Sequence, residues 1–331
     1  MWVSDGKMAV EDVGMPEAIE GWSLIKVSRS GICGSEVAAF QGLNELRKPP
    51  LIMGHEFSGT VESAASDDME ELTGRMVAVN PMVTCGKCYY CRSGLRNLCP
   101  DRQIVGAAFP GSFGEYVHVP PGSCYPVGDA TAGALAEPLA TALRAVGKCN
   151  IGVGDGAIVF GMGIIGLFLL RLLKRMGISK CVAADINEAR LSTAKQLGAS
   201  LTVDMREKDA AGYVADYFGS GADFSFDAVG IAATRSGCIM ATRRGGKAVF
   251  VGNHEKDTGI DGNTIVRGEI SVEGSYAYTD NEFARAVELA QSGFMGPSAP
   301  WLRVCGIEEG PDIFERLSTN RISESKVIMH F

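Results

Sequence analysis

The stretch "AIVFGMGIIGLFLLRLLKRMG", residues 157–177, begins as a short apolar run and passes through Gly161, Gly163 and Gly166. It continues as leucines punctuated by Arg171, Lys174 and Arg175. The period changes at the glycines: a buried strand, a tight turn, then a helix that ends at Gly177. A second apolar run, "KCVAAD" at 180–185, closes on an acid, Asp185.

A glycine-rich string is weak evidence alone, but between a strand and a helix each glycine has a task. Gly161 allows the turn, Gly163 lets a pyrophosphate approach the backbone, and Gly166 lets the helix lie on the strand. Ile164 and Ile165 open that helix, whose N-terminus faces phosphate charge. Asp185 is expected to accept from ribose hydroxyls and to repel a 2′-phosphate, favouring NAD over NADP. The plainer alternative is that the glycines serve the turn and Asp185 caps the next helix.

Downstream, "NEARLSTAKQLGA", "TVD", "AAGYVADYFG", "DFSFDAV", "TRSGCIMATR" and "KAVFVG" alternate helix and strand. That alternation specifies a parallel sheet covered on both faces. Up to about Val127 the texture is different. "WSLIKVS" at 22–28, "RMVAVNP" at 75–81 and "GEYVHVP" at 114–120 alternate like half-buried strands, with a polar loop, "SAASDDMEELTG", at 63–74. A barrel-like β region is expected there. After "ISVEGSYAY" at 270–278 come "DNEFARAVELAQSG", "GPDIFERLST" and "SKVIMH", too few elements for a domain. They are expected to return to the first region, giving 1–137 as the catalytic domain, 138–274 as the nucleotide domain, and 275–331 completing the first. A chain of 331 residues suits such an insertion.

The balance of 46% hydrophobic and 21% charged residues is that of a soluble globular protein. A net charge of −8 discourages nucleic acid, and the basic pair Arg243-Arg244 is too short to reverse that. No membrane span is expected, because the longest apolar run stops at Arg171, short of the roughly 20 residues a bilayer needs. Met1 to Val10 lacks the pattern of an export signal, so a cytoplasmic location is expected.

Ten cysteines in such a protein suggest metal or catalysis wherever they cluster. Cys124, Cys149, Cys181, Cys238 and Cys305 stand apart and read as small core residues. In "TCGKCYYCRSGLRNLC", residues 84–99, Cys85, Cys88, Cys91 and Cys99 are close enough to converge on one ion. Four thiolates close a tetrahedral zinc site and leave no position for substrate, so this zinc would be structural. An iron–sulfur cluster is the rival, since ferredoxin runs begin with the same spacings and end in Cys-Pro, as Cys99-Pro100 does. Cys33 in "SGICGSE" and His55-Glu56 in "GHEFSG" are, taken singly, ordinary.

Together with the nucleotide pattern and the cysteine lobe, these motifs resemble the zinc-dependent medium-chain dehydrogenases, in the branch that contains sorbitol and other polyol dehydrogenases. The resemblance runs through "GICGSE", "PLIMGHEFSGTV", the lobe, "GSFGEYVHVP", "LAEPLATALRAV", "GMGIIG" to Asp185, "FDAVG", "GGKAVFVG" and "GSYAY". Only the first twenty residues match poorly. It implies a Rossmann-type doubly wound sheet inserted into a GroES-like barrel, with one catalytic and one structural zinc per chain. Cys33 and His55 would ligate the catalytic zinc, and Glu56 or Glu137 would fill the remaining protein position. The simpler reading of Glu137 is an acid at a helix start. Ser35 would pass the substrate's proton onward, Arg190 would lie near the adenine ribose, and Val251, Gly252 and Ser275 would face the nicotinamide half.

The implied activity is NAD-linked interconversion of a secondary alcohol, on a polyol, sugar or cyclic alcohol, with its ketone. A dimer or tetramer of identical chains is implied too. An amino-alcohol dehydrogenase of the threonine type is the near alternative. A non-catalytic zinc- and NAD-binding regulator is the distant one, opposed by the acidic charge. Two positions depart from the family. Glu36 stands where Asp is usual, which puts the orientation of His55 in question. Ala38 stands where many relatives carry a histidine that ends the proton relay. The small Ala38 and Ala39 would either leave room beside the zinc or simply pack.

Overall fold

In a computed structural model of the chain, residues 157–177 fold as the strand Gly156–Phe160, the glycine turn and the helix Ile164–Arg175. The structure describes residues 2–4, 7–44, 46–65, 70–207, 210–294 and 300–331, so the middle of the polar loop read at 63–74 lies outside the described residues. The strand is buried at every position, as a strand covered on both faces requires. It lies inside a six-stranded sheet ordered Leu201–Asp204, Lys180–Asp185, Gly156–Phe160, Ala222–Asp227, Thr242–Phe250 and Ser271–Gly274. Every pair in that sheet is parallel. The order reverses direction between Gly156–Phe160 and Ala222–Asp227, the switch point where doubly wound sheets hold ligands. The glycine turn follows directly from the strand at that point.

The chain divides into two compact units, Met1–Ala140 with Thr279–Phe331, and Thr141–Tyr278. The first is built on a seven-stranded sheet. Its central strand, Ser23–Gly31, pairs antiparallel with Glu56–Ser63, Tyr116–Val119 and the returning strand Lys326–His330. Ile25, Val27, Phe57, Val61, Val77 and Val79 fill one core of this unit. Met53, Phe113 and Phe314 fill another, together with Ile32. The return of the C-terminal segment places Ile328 opposite Gly31 on one side, while Glu56 is opposite Gly31 on the other.

Three helices carry little periodic signal. Gly34–Phe40 is short and starts directly after Cys33, and Gly262–Gly268 contains two glycines. Ala130–Val146 holds Pro138 in its interior, a residue that normally breaks a helix. Glu137 therefore lies inside that helix and not at its start. Among the described residues no helix is long and apolar enough to cross a membrane.

The isolated cysteines behave as packing groups. Cys238 and Cys305 belong to hydrophobic cores. Burial pushes the thiols of Cys124, Cys149 and Cys181 up to about 12.

Candidate active site

Cys33 is extended and precedes the helix Gly34–Phe40 as its N-cap. The acid one turn on, Glu36, is fully buried and turns back to accept the Cys33 amide at 2.9 Å through Oε2. Its other oxygen accepts from the Gly54 amide at 3.0 Å and from His55 Nδ1 at 2.7 Å. The extra methylene, which put the orientation of His55 in question, is thus taken up by a carboxylate that spans three donors. With Nδ1–H given to Glu36, the Nε2 of His55 is the nitrogen left for a metal.

His55 is held from behind as well. Gly54 has φ +102°, and a Cβ there would lie 2.7 Å from the Phe113 amide. The neighbouring glycines close on the same point, since a Cβ on Gly106 would stand 2.3 Å from Gly54 O. Glycine is required here by both conformation and space.

One ligand atom each from Cys33, His55 and Glu56 lies within 4.8 Å of the others. Sulfur, imidazole nitrogen and carboxylate oxygen form a donor set suited to zinc, and three protein ligands leave a position open. Burial disfavours ionising the Cys33 thiol, but the hydrogen bond and charge of His55, helped by Lys326, bring it down to about 6. Burial likewise opposes the imidazolium of His55, yet the Glu36 charge and the bonds to Cys33 and Glu36 raise it to about 10. Glu36 itself is buried, but His55 and Arg47 hold its carboxyl below the usual range. The cluster is polarised as a thiolate beside a cation, the form in which the sulfur is ready to ligate.

Glu56 is paired with Lys326, and both side chains are buried. Lys326 also donates to Ile32 O at 2.9 Å. Gly31 makes room for this pair: a Cβ there would meet Glu56 Oε2 at 2.5 Å and Lys326 Cε at 2.7 Å. Sequence reasoning passed over Lys326, because nothing near "SKVIMH" marks it. Its partner is 270 positions away. Glu137 does not join the close set of ligand atoms. Ser35 Oγ donates to Cys33 Sγ at 3.4 Å. Ala39 packs against the core around Met53 and Phe314, so packing is its role.

The four lobe sulfurs also lie within 4.8 Å of one another. Cys85 and Cys91 are 4.0 Å apart, and Cys99 and Cys85 3.6 Å. Thiolates at about 2.3 Å from one tetrahedral ion stand about 3.8 Å apart, so a single zinc fits. An iron–sulfur cluster carrying each thiolate on its own iron needs more separation. The backbone amides of Lys87 and Cys88 lower the Cys85 thiol to about 7. The lobe is tied down by Arg96, which donates to Thr84 Oγ1 at 2.9 Å and pairs with Asp280 at 3.0 Å.

In the nucleotide unit a Cβ on Gly161 would strike Val229 at 2.4 Å, and one on Gly166 would overlap Gly161 O. Gly163, by contrast, faces open space. That is the arrangement a phosphate-binding turn needs: two glycines packed, one accessible. The first-turn amides of the helix, those of Ile164 and Ile165 included, lack partners within it.

Asp185 is more engaged than expected. One oxygen accepts from the Met162 amide at 2.5 Å, the other from Ile186 and Asn187 at 2.7 and 2.8 Å. It braces the glycine turn, and remaining lone pairs are what it can offer a ribose. Asn187, not Asp185, caps the next helix by accepting from the Arg190 amide at 3.1 Å. Arg190 Nε and Ser275 Oγ are buried without hydrogen-bond partners. Buried orphans of this kind fit a missing polar ligand. Val251 and Gly252 both donate to Asp227 O at 2.9 Å, and the Gly252 carbonyl accepts from Arg235 Nη2 at 3.3 Å.

Comparison with known proteins agrees with this geometry. Residues 19–129 match the alcohol dehydrogenase GroES-like domain, and residues 165–292 match the zinc-binding dehydrogenase domain. The chain is 32% identical to D-arabitol-phosphate dehydrogenase of Enterococcus avium, over 87% of this chain and 84% of that one. It is 28% identical to sorbitol dehydrogenase of Bacillus subtilis, over 94% and 90%. Among solved structures, a zinc-binding dehydrogenase from Sinorhizobium meliloti with bound NADP superposes with a TM-score of 0.89 at 28% identity, covering 99% of this chain and 97% of that one. The chain therefore belongs to the zinc-dependent medium-chain dehydrogenases, in their polyol dehydrogenase branch.

Proposed function

We propose that this dehydrogenase oxidises a secondary alcohol on a polyol, sugar or cyclic alcohol to the ketone, and catalyses the reverse, with NAD as the hydride carrier. The observation that carries the reading is the convergence of Cys33, His55 and Glu56 on one point of the catalytic unit. Zinc held there would supply Lewis acidity toward a substrate hydroxyl, and a bound nicotinamide would supply the hydride acceptor.

The chain's own residues set up that chemistry. Cys33 offers a thiolate, His55 offers Nε2 because Glu36 holds Nδ1, and a carboxylate completes the set. Glu56 and Glu137 share that last role. Glu56 lies in the close set of ligand atoms while paired with Lys326, and Glu137 is the carboxylate that would replace it. Ser35 Oγ, next to Cys33 Sγ, takes the substrate proton onward. With Ala38 in place of a histidine, that proton leaves through the cofactor ribose or water. Gly161, Gly163, Ile164, Ile165 and Gly166 cradle the pyrophosphate, Asp185 and Arg190 hold the adenosine half, and Val251, Gly252 and Ser275 the nicotinamide half. The carboxylate at Asp185 favours NAD over NADP.

None of the ten cysteines is in a disulfide, which supports a cytoplasmic setting. A homo-oligomer belongs to the same reading, and the exposed pair Tyr89 and Tyr90 on the lobe supports a contact there. The test is NADH formation by zinc-loaded protein across polyols, sugars, sugar phosphates and threonine, with His55→Ala as control. Turnover on a polyol or its phosphate, absent in the control, is expected. Turnover on threonine alone would replace the substrate class, and turnover undiminished in the control would sink the site.

A further inference from the structure

Arg47 has no part in the reading above, yet it is buried against His55. It is 7% exposed, its Nε donates to Gly106 O at 3.2 Å, and its Nη2 stands 3.2 Å from His55 Nδ1. That ring nitrogen cannot accept a guanidinium proton while it donates its own to Glu36. Arg47 is thus held beside the ring by its bond to Gly106 O, and the carboxylate of Glu36 lies 2.7 Å from the same ring nitrogen.

Glu36 is a carboxylate with 0% exposure. A buried carboxylate needs a cation, or its burial is strongly unfavourable. A histidine that ligates a metal through Nε2 is a neutral imidazole, so His55 cannot be that cation while it holds zinc. A guanidinium keeps its charge and its fork geometry. The bond to Gly106 O fixes it further, because the Gly106 segment is pressed onto Gly54, the residue before His55.

We propose that Arg47 is a positioning residue of the metal site: it is a standing positive charge beside the Glu36–His55 contact, and so lets Glu36 hold His55 Nδ1 while the ring ligates through Nε2. The proposal rests on His55 being a zinc ligand. Without Arg47, the other buried cation that faces Glu36 is Lys326, which is already engaged by Glu56 and by Ile32 O, and the His55 ring cannot fill the role while it ligates.

The test is zinc affinity of the full-length protein, measured by competition with a chromophoric chelator, together with the visible bands of the cobalt-substituted protein. Arg47→Met is expected to weaken one of the two zincs about 10–100-fold and to shift the cobalt bands. Arg47→Lys keeps the charge without the fork and is expected to recover part of the loss. The double variant Glu36→Gln/Arg47→Met is expected to be no weaker than the worse single variant, since both singles act on the same contact at His55 Nδ1. Unchanged affinity and bands in Arg47→Met, or losses that add in the double variant, overturn the proposal. If Arg47→Met does not fold, Arg47→Lys and the double variant carry the comparison: unchanged affinity and bands in Arg47→Lys with a full loss in Glu36→Gln/Arg47→Met would overturn it, and an intermediate loss would sustain it. His55→Ala reports on the underlying reading: if it retains both zincs at wild-type affinity, His55 is not a ligand, whatever Arg47 does.

Discussion

The two cysteine-bearing sites of this protein are built in opposite ways. The lobe collects Cys85, Cys88, Cys91 and Cys99 from one short stretch, uses four like ligands, and leaves most of them only half-buried. The other site brings Cys33 from one stretch together with the adjacent His55 and Glu56 from another, mixes sulfur, nitrogen and oxygen, and surrounds them with buried charge from Glu36, Arg47 and Lys326. A closed set of four thiolates can organise a loop and do nothing else. An unequal set, with an acid held in reserve by a lysine, can exchange a ligand and leave a position for substrate. On the function proposed above, the first site is structural and the second carries the chemistry.

The largest effect expected from testing that contrast is on the lobe. Cys88→Ala should release one zinc and unfold residues 84–99, because structural zinc in small modules contributes on the order of 10 kcal/mol to folding. The folded fraction should keep its kcat, measured with the thermal midpoint on the same sample. A kcat lost in proportion to the zinc, in protein that remains folded, would erase the distinction between the sites.

Next is the buried pair. Lys326→Met leaves Glu56 charged and unpaired, which typically costs about 3–5 kcal/mol. In chelator-treated protein that full loss is expected in urea unfolding, and a smaller one with zinc present, since the metal gives Glu56 another partner. Equal losses in both states would mean that Glu56 never reaches the metal. Gly31→Ala should act on the same pair more mildly, by crowding and not by charge, at about 1–3 kcal/mol. Full wild-type stability there would show that the pair has room to spare.

The smallest effect is the pH dependence of the metal-free protein. The folded value of Cys33, about 6, lies below its usual 9.0, so its stabilisation is complete above pH 9 and lost as pH falls through 6. The folded value of His55, about 10, lies above its usual 6.5, so its contribution is complete below pH 6.5 and lost as pH rises through 10. The thermal midpoint of chelator-treated protein should therefore be highest between pH 6.5 and 9 and decline on both sides. His55→Ala should flatten the profile. A wild-type profile that rises steadily through pH 10 would contradict the thiolate–imidazolium pair.

The same contrast explains what the sequence made legible. The lobe and the glycine turn are local, so the spacing of Cys85 to Cys99 and of Gly161 to Gly166 carries their geometry directly. Cys33 and His55 come together through strand pairing, and only the resemblance to a family joined them. Lys326 and Arg47 were missed because a lone basic residue in a strand or loop gives no sign of burial, and Lys326 finds Glu56 only when the C-terminal strand returns to Ser23–Gly31. The helix Ala130–Val146 was obscured by Pro138, whose local signal the surrounding packing overrides. Glu36 looked like a defect beside an expected Asp, and the structure gives its longer arm three donors to span.

The most direct test of the central claim is zinc content and turnover measured together on Cys33→Ser and on the wild type. One zinc retained per chain, a folded lobe and a rate reduced by about 10³-fold or more are predicted, because several kcal/mol of Lewis-acid stabilisation are removed while the structural ion stays. Two zincs retained with full turnover would contradict it.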